Sequence, residues 1–251
     1  STETGVIALR QGGAWELLPA VEASVNEENI FQVASPWSGG VRQTADAVRL
    51  DGRRLELLGR QDRIIKLEDK RVSLAQLEHD LLAHGWVADA HCARHPQYGR
   101  IAAWAALSAE GIAALREQGR AAVVQTLKQH LAKTQDTAAL PRYWRFAAAL
   151  PRNPQAKIRE QDFQTAFTVP QTAPQWAVLH ANEETREYAF EGTVPLDLTY
   201  FGGHFADFPL VPGVIEVQWA MDLAARFDWG RKTVQHIENL KYQHFVRPHD
   251  T

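Results

Sequence analysis

Apolar and polar positions follow two different rhythms along this chain. Up to about residue 58 the apolar positions come in short runs, separated by Gly12-Gly13, Ser38-Gly39-Gly40 and Asp51-Gly52. Short runs bounded by such residues predict strands joined by turns. Val48-Arg49-Leu50 and Leu55-Glu56-Leu57 flank Asp51-Gly52, which predicts a hairpin. From Ser73 the period lengthens. Ser73 is a candidate cap for a helix whose Leu74, Leu77, Leu81 and Leu82 share one stripe. Val87 to Cys92 and Ile101 to Leu107 predict strands. Ala109 to Lys133 predicts a long helix with Leu127 and Leu131 on one side. Tyr143 to Leu150 predicts a strand ending at Pro151, and Ile158 to Phe167 a closing helix.

Residues 169–175 carry two prolines and no long apolar side chain after Val169, which reads as a linker. Beyond it, Ala177 to Leu179, Arg186 to Phe190 and Val194 to Leu198 predict strands. Pro212-Gly213 opens an amphipathic helix reaching to about Phe227, and Ile237 to Val246 predicts a final strand. The fold class is α+β. The divisions fall at 1–58, 59–168, 169–175 and 176–251.

Composition narrows the function. The 251 residues suit two domains. A hydrophobic share of 45% and a net charge of -3 describe an ordinary globular chain, with no basic surface for nucleic acid or an anionic membrane. Cys92 is the only cysteine, so no intrachain disulfide forms and a reducing, cytoplasmic home is expected. No stretch approaches the roughly 20 apolar residues of a membrane span. The N-terminus lacks both a secretory pattern and an initiator methionine, and the chain reads as a fragment. His91, Cys92 and His95 show no partner set for a metal and read as a surface cluster.

Four separated stretches resemble the adenylate-forming superfamily of acyl-CoA synthetases and related ligases. Ser1-Thr2-Glu3-Thr4-Gly5 resembles the motif closing the large domain's phosphate site, which implies that Thr2 and Glu3 help hold ATP and that Glu3 holds its Mg²⁺. Thr44-Ala45-Asp46 resembles a Thr-Gly-Asp motif whose aspartate accepts the ribose hydroxyls, with Ala45 in the glycine's place. Gly59-Arg60-Gln61-Asp62-Arg63-Ile64-Ile65-Lys66, then Lys70 to Leu74 and Glu78, resembles the hinge motif. By that resemblance Arg60 contacts the nucleotide and Asp62 is the hinge on which a small lid domain swings. Asp69 replaces a family glycine. Leu150 to Ile158 resembles the loop of the catalytic lysine, which implies that Lys157 neutralises charge during adenylation; Ala156 replaces the glycine before it. The resemblance covers residues 1 to about 168 and lacks most of the large domain, so the chain unaided is not expected to adenylate.

Tyr200 to Val214 resembles the signature of the 3-hydroxyacyl-carrier-protein dehydratases: Gly203-His204-Phe205, a proline at 209, then Pro212-Gly213 opening a helix. That family has the hot-dog fold, a curled antiparallel sheet around a long helix, and dimerises. His204 would take the C2 proton, and amides near Gly213 would stabilise the thioester oxygen. The family's acid stands fourteen residues after the histidine, where this chain has Gln218. Asp222 lies one turn further on the same face, whereas Glu216 faces elsewhere. Active dehydratase, thioesterase-like enzyme and non-catalytic acyl-binding module all remain open. The domain looks cut short after its last strand.

Together the resemblances imply the barrel strands and lid of a ligase followed by a hot-dog domain. The activities implied are activation of a small carboxylic acid as its acyl-adenylate, transfer to a phosphopantetheine thiol of CoA or acyl carrier protein, and dehydration of 3-hydroxyacyl thioesters. The cofactors implied are ATP, Mg²⁺ and that thiol. The partners are acyl carrier protein and a second copy through the hot-dog domain.

Overall fold

A computed structural model describes residues 6–11, 14–26, 30–60, 63–67, 69–226 and 236–251. The chain divides into two compact units, residues 1–80 with 135–139 and residues 81–134 with 140–251. Both mix helices and strands, as the α+β pattern predicts.

The first unit is built on an antiparallel six-stranded sheet ordered β1-β2-β6-β5-β4-β3. Its strands are β1 (Ala8–Gln11), β2 (Ala14–Leu17), β3 (Glu22–Val25), β4 (Ile30–Ala34), β5 (Arg42–Asp51) and β6 (Arg54–Arg60). Leu17, Val21, Phe31, Val33, Val48 and Leu55 bury one face. The expected hairpin forms: Leu50 pairs with Leu55 and Asp51 with Arg54. Gly52 closes it at φ 58°, a left-handed conformation that costs glycine nothing. A smaller hairpin follows, β7 (Ile64–Leu67) with β8 (Lys70–Ser73). Ser73 caps α1 (Leu74–Leu82) by accepting the Gln76 N–H at 3.2 Å. Leu74, Leu77 and Leu81 are buried, but Leu82 is 46% exposed. Leu81 and Leu82 lie 100° apart on a helix, and the apolar stripe is too narrow for both. Residues 135–139 join this unit through Gln135, which donates to Asp80 at 2.7 Å, and Asp136, which pairs with Lys70 at 2.8 Å.

The second unit contains a three-stranded sheet ordered β11-β10-β9. β10 (Ile101–Leu107) is central and entirely buried, antiparallel to β9 (Val87–Arg94) and parallel to β11 (Tyr143–Ala147). The crossover from β10 to β11 runs through α2 (Ala109–Leu131), capped by Ser108. α2 breaks at Gly119, whose φ of 78° and ψ of 168° are not helical. α3 (Glu160–Thr168) packs Phe163 on Ala102 and Trp104. His95 and Cys92 are buried rather than at the surface, and the His95 ring lies against Tyr98 and Tyr143. Cys92 is on β9 and His95 just beyond its end.

The stretch 169–175 is tied down at Gln171 and Thr172. Thr199 donates to the Gln171 carbonyl and the Trp219 indole to the Thr172 carbonyl, both at 2.8 Å. Beyond them come the hairpin β12 (Ala177–Asn182) with β13 (Glu187–Glu191), and α4 (Gly213–Ala224). Two expected strands are absent. Residues 194–198 form no ladder because Pro195 lacks an N–H and Asp197 turns inward to accept the Phe146 N–H. Residues 237–246 form none either: their apolar positions, 237, 240, 242 and 245, do not keep a two-residue period.

Candidate functional site

The nucleotide-binding candidates lie on the β5–β6 ribbon. Asp46 and Arg60 are direct partners in its register, and a β-bulge follows immediately between Ala47 and Val48. A bulge at that point re-aims the strand end. The Asp46 N–H donates to Thr44 Oγ1 at 3.2 Å, and the residue is half-buried. Thr2, Glu3 and Asp62 lie outside the described residues. Arg63, which follows the hinge position, bonds Glu78 of α1 with both side chains largely buried.

Lys157 sits exposed at the tip of a loop that is held from both sides. Asn153 Oδ1 accepts the Gln155 and Lys157 N–H groups at 3.0 and 2.9 Å. Arg152 donates to the Ala156 carbonyl at 2.7 Å and grips Asp89 with two bonds of 2.6 and 2.7 Å. Asn153, Arg152 and Asp89 thus position the lysine. Asn153 and Arg152 were visible in the motif; Asp89 was not, because it comes from β9, 63 residues earlier. Ala156 has φ 58°, which explains the glycine expected before the lysine and strains the alanine present.

The dehydratase-like residues gather around α4. A 3-10 turn over Thr199–Gly202 buries Phe201 and leads to His204. The His204 ring is half-buried beside Phe205, at 4.5 Å between centroids. Its Nδ1 is buried without a hydrogen-bond partner among the described residues. Trp104 Nε1 and Gln171 Oε1 are the other buried side-chain atoms in that state among the described residues. Gly213 opens α4 with the Tyr242 ring against it: a Cβ there would lie 2.4 Å from the ring. Tyr242 carried no sequence signal, being one aromatic in an irregular run.

Gln218 is exposed and donates to Asp222 at 2.8 Å, so the two share a face as the helical period requires. No hydrogen bond joins Gln218 to His204. Glu216 points elsewhere, into a cavity of about 670 Å³ that Trp176, Phe190, Trp219 and His244 also line. Burial pushes its carboxyl above the usual range. Among the described residues no group of three metal-ligating side chains converges, and no helix is long and apolar enough to cross a membrane.

The family model described as ApeI-like, ApeI dehydratase, matches residues 180–251. The nonribosomal peptide synthetase nlsA of Emericella nidulans is 32% identical over 133 residues, which cover 48% of this chain and 2% of that protein. The anthranilate CoA ligase AuaEII, solved with anthranoyl-AMP, superposes with a TM-score of 0.51 at 18% identity over 63% of this chain and 36% of the ligase. The coronafacic acid ligase of Pectobacterium brasiliense reaches a TM-score of 0.48 at 21% identity over 61% of this chain and 33% of its own. The chain therefore spans a minor part of each relative's length. Part of this chain shares its fold with part of that CoA ligase, and residues 180–251 match the ApeI-like dehydratase model.

Proposed function

We propose that this chain is part of a bifunctional enzyme of acyl metabolism. Its first part belongs to an AMP-forming acyl- or aryl-acid ligase, with barrel strands followed by a lid. Its last part is a hot-dog dehydratase-like domain acting on 3-hydroxyacyl thioesters. The carboxylic acid is activated as an acyl-adenylate and passed to the phosphopantetheine thiol of CoA or an acyl carrier protein. Bound ATP supplies the adenylyl group. Asp46 fits the ribose hydroxyls and Arg60 the nucleotide in residue type, Thr2 and Glu3 would help hold ATP with Glu3 on its Mg²⁺, and Lys157 meets the charge developing at the α-phosphate. Asp62 serves as the hinge.

The observation that carries the dehydratase half is the His204 imidazole, half-buried with Nδ1 unpartnered, inside the stretch matching a dehydratase family. It takes the C2 proton, the first amides of α4 steady the thioester oxygen, the C2–C3 double bond forms as the C3–O bond breaks, and the departing hydroxyl leaves as water on taking that proton back from the His204 imidazolium. The test is dehydration of a 3-hydroxyacyl-carrier-protein thioester by the full-length parent, followed by enoyl absorbance. Activity abolished by His204→Ala supports the reading; activity unchanged by that substitution rules out His204 as base.

A second reading rests on Gln218. An amide stands at the acid's position and its N–H is spent on Asp222. The domain would then bind and dimerise around acyl thioesters without dehydrating them, or act like a thioesterase. Gln218→Glu separates the cases. A sharp rise in turnover favours a weakened dehydratase, and silence in both proteins favours the binding module.

A further inference from the structure

The second unit holds a cavity of about 530 Å³ whose lining includes none of His204, Gln218 and Lys157; it is formed by α2, β11, the end of α3, residues 196–199, and Phe201, Gly202, Ala206 and Pro209. Its lining is mainly apolar, with Leu115, Phe167 and Leu198 among the walls. Three charged groups meet there: Arg120, Arg145 and Asp197. Asp197 is 6% exposed and both its oxygens are committed. Oδ1 accepts Arg120 Nε at 2.7 Å and Oδ2 accepts the Phe146 N–H at 2.8 Å. Arg145 stands differently. Its Nε donates to the Ala166 carbonyl at 2.6 Å, but Nη1 is 4.0 Å from Asp197, too far for a hydrogen bond. Its terminal N–H groups have no hydrogen-bond acceptor among the described residues although the side chain is only 17% exposed. Burial and the Arg120 charge both work against its protonated form, and Asp197 only partly offsets them. Two guanidinium groups against one carboxylate leave one uncompensated positive charge. A planar fork with free donors in an apolar cavity matches a carboxylate.

We propose that this cavity is a ligand site for an apolar monocarboxylate, whose carboxylate docks on the terminal N–H groups of Arg145 and whose body lies along Leu115, Phe167 and Leu198. The volume suits a medium-chain or single-ring acid. The inference rests on Arg145 and the apolar walls and on no step at His204, although Phe201, Gly202, Ala206 and Pro209 of the lining belong to the Tyr200–Val214 stretch.

Calorimetric titration of the full chain tests it with three probes: octanoate, octanamide with the same body and no charge, and inorganic phosphate with charge and no body. Octanoate is expected to bind saturably, and the other two at least tenfold more weakly. Arg145→Gln is expected to weaken octanoate at least tenfold, and Ala121→Phe, which fills the cavity from its wall without touching the charges, to abolish binding. Octanamide binding as well as octanoate overturns the proposal, as does phosphate matching it. So does octanoate binding unaltered in both variants, which would put it elsewhere. The wild-type probe comparison decides the matter even if a variant fails to fold.

Discussion

The stretch 87–168, apart from residues 135–139, and residues 176–251 belong to one compact unit but treat their apolar side chains in opposite ways. In the first stretch β10 is buried at every position, and Leu115, Val123, Leu127 and Leu131 of α2 are at most 1% exposed. Tyr98 is its one large hydrophobic left in solvent among the described residues. In the second stretch Leu179, Phe205, Val214 and Phe245 are exposed, Val214 and Phe245 to 73%. Its small cluster around Phe201, Val211 and Trp219 leaves much apolar surface outside. What fastens it to the first stretch is largely polar. Arg116 reaches the Pro248 carbonyl at 2.8 Å and Asp250 at 2.5 Å, Arg247 bonds the Arg116 carbonyl, and Arg120 holds Asp197. A self-sufficient core stands beside a region whose order is borrowed through ion pairs. Exposed apolar surface of this kind marks a binding face, in keeping with the proposed second copy.

The strongest way to break that contrast is Asp197→Ala. It strips the counter-charge from Arg145, the partner from Arg120 and the acceptor from Phe146 N–H. Uncompensated buried charge makes the expected loss about 3 kcal/mol, on the order of 10 °C in Tm. Unchanged thermal unfolding would mean that the ion pair does not fasten the two stretches. Gly119→Ala comes next. Its backbone is at φ 78°, and a Cβ would meet the Ala206 carbonyl oxygen at 2.1 Å. Strain and displacement together are expected to cost about 2 kcal/mol. Hydrogen exchange should quicken over residues 204–209 and stay slow in β10. Equal change in both would show that the borrowed order is mutual.

Ala156→Gly sharpens the comparison from the opposite side. It relieves a left-handed alanine inside the well-packed stretch, so unfolding should become harder by about 1 kcal/mol. No gain in denaturant midpoint would show that the Asn153 and Arg152 bonds already absorb the strain.

The same contrast separates what was legible in the sequence from what was not. The β5–β6 hairpin, β10, α2 and the Ser73 cap were legible because local signals and burial agree there: Asp51-Gly52 between alternating residues, and an unbroken apolar run for a central strand. Residues 194–198 and 237–246 misled, because apolar content suggested strands where Pro195 and an irregular period prevent them. The site residues that motifs carried were placed by local order. Those that tertiary contact supplies, Asp89 beneath Arg152 and Tyr242 over Gly213, were invisible because the contact spans tens of residues. Asp197 was invisible for another reason: it looks like a loop residue until its three partners are known.

The smallest expected effect concerns Glu216, whose carboxyl is held above its usual range by burial in the cavity beside Trp176 and Trp219. Its folded pKa exceeds its unfolded one. Its contribution is therefore fully present below the unfolded pKa, where both states are protonated, and is lost as pH rises through the raised folded value. Glu191, His244 and Asp250 are further ionisable groups lining the same cavity. The wild type alone therefore cannot isolate Glu216, but the difference in Tm between wild type and Glu216→Gln, followed from about pH 4 to about pH 8, largely cancels the others. That difference should move against the wild type with rising pH and level off once Glu216 is ionised. A flat difference would mean that Glu216 is solvated in both states. It would also shrink the contrast between the two stretches, since the second would then bury no carboxylate on α4 without a partner.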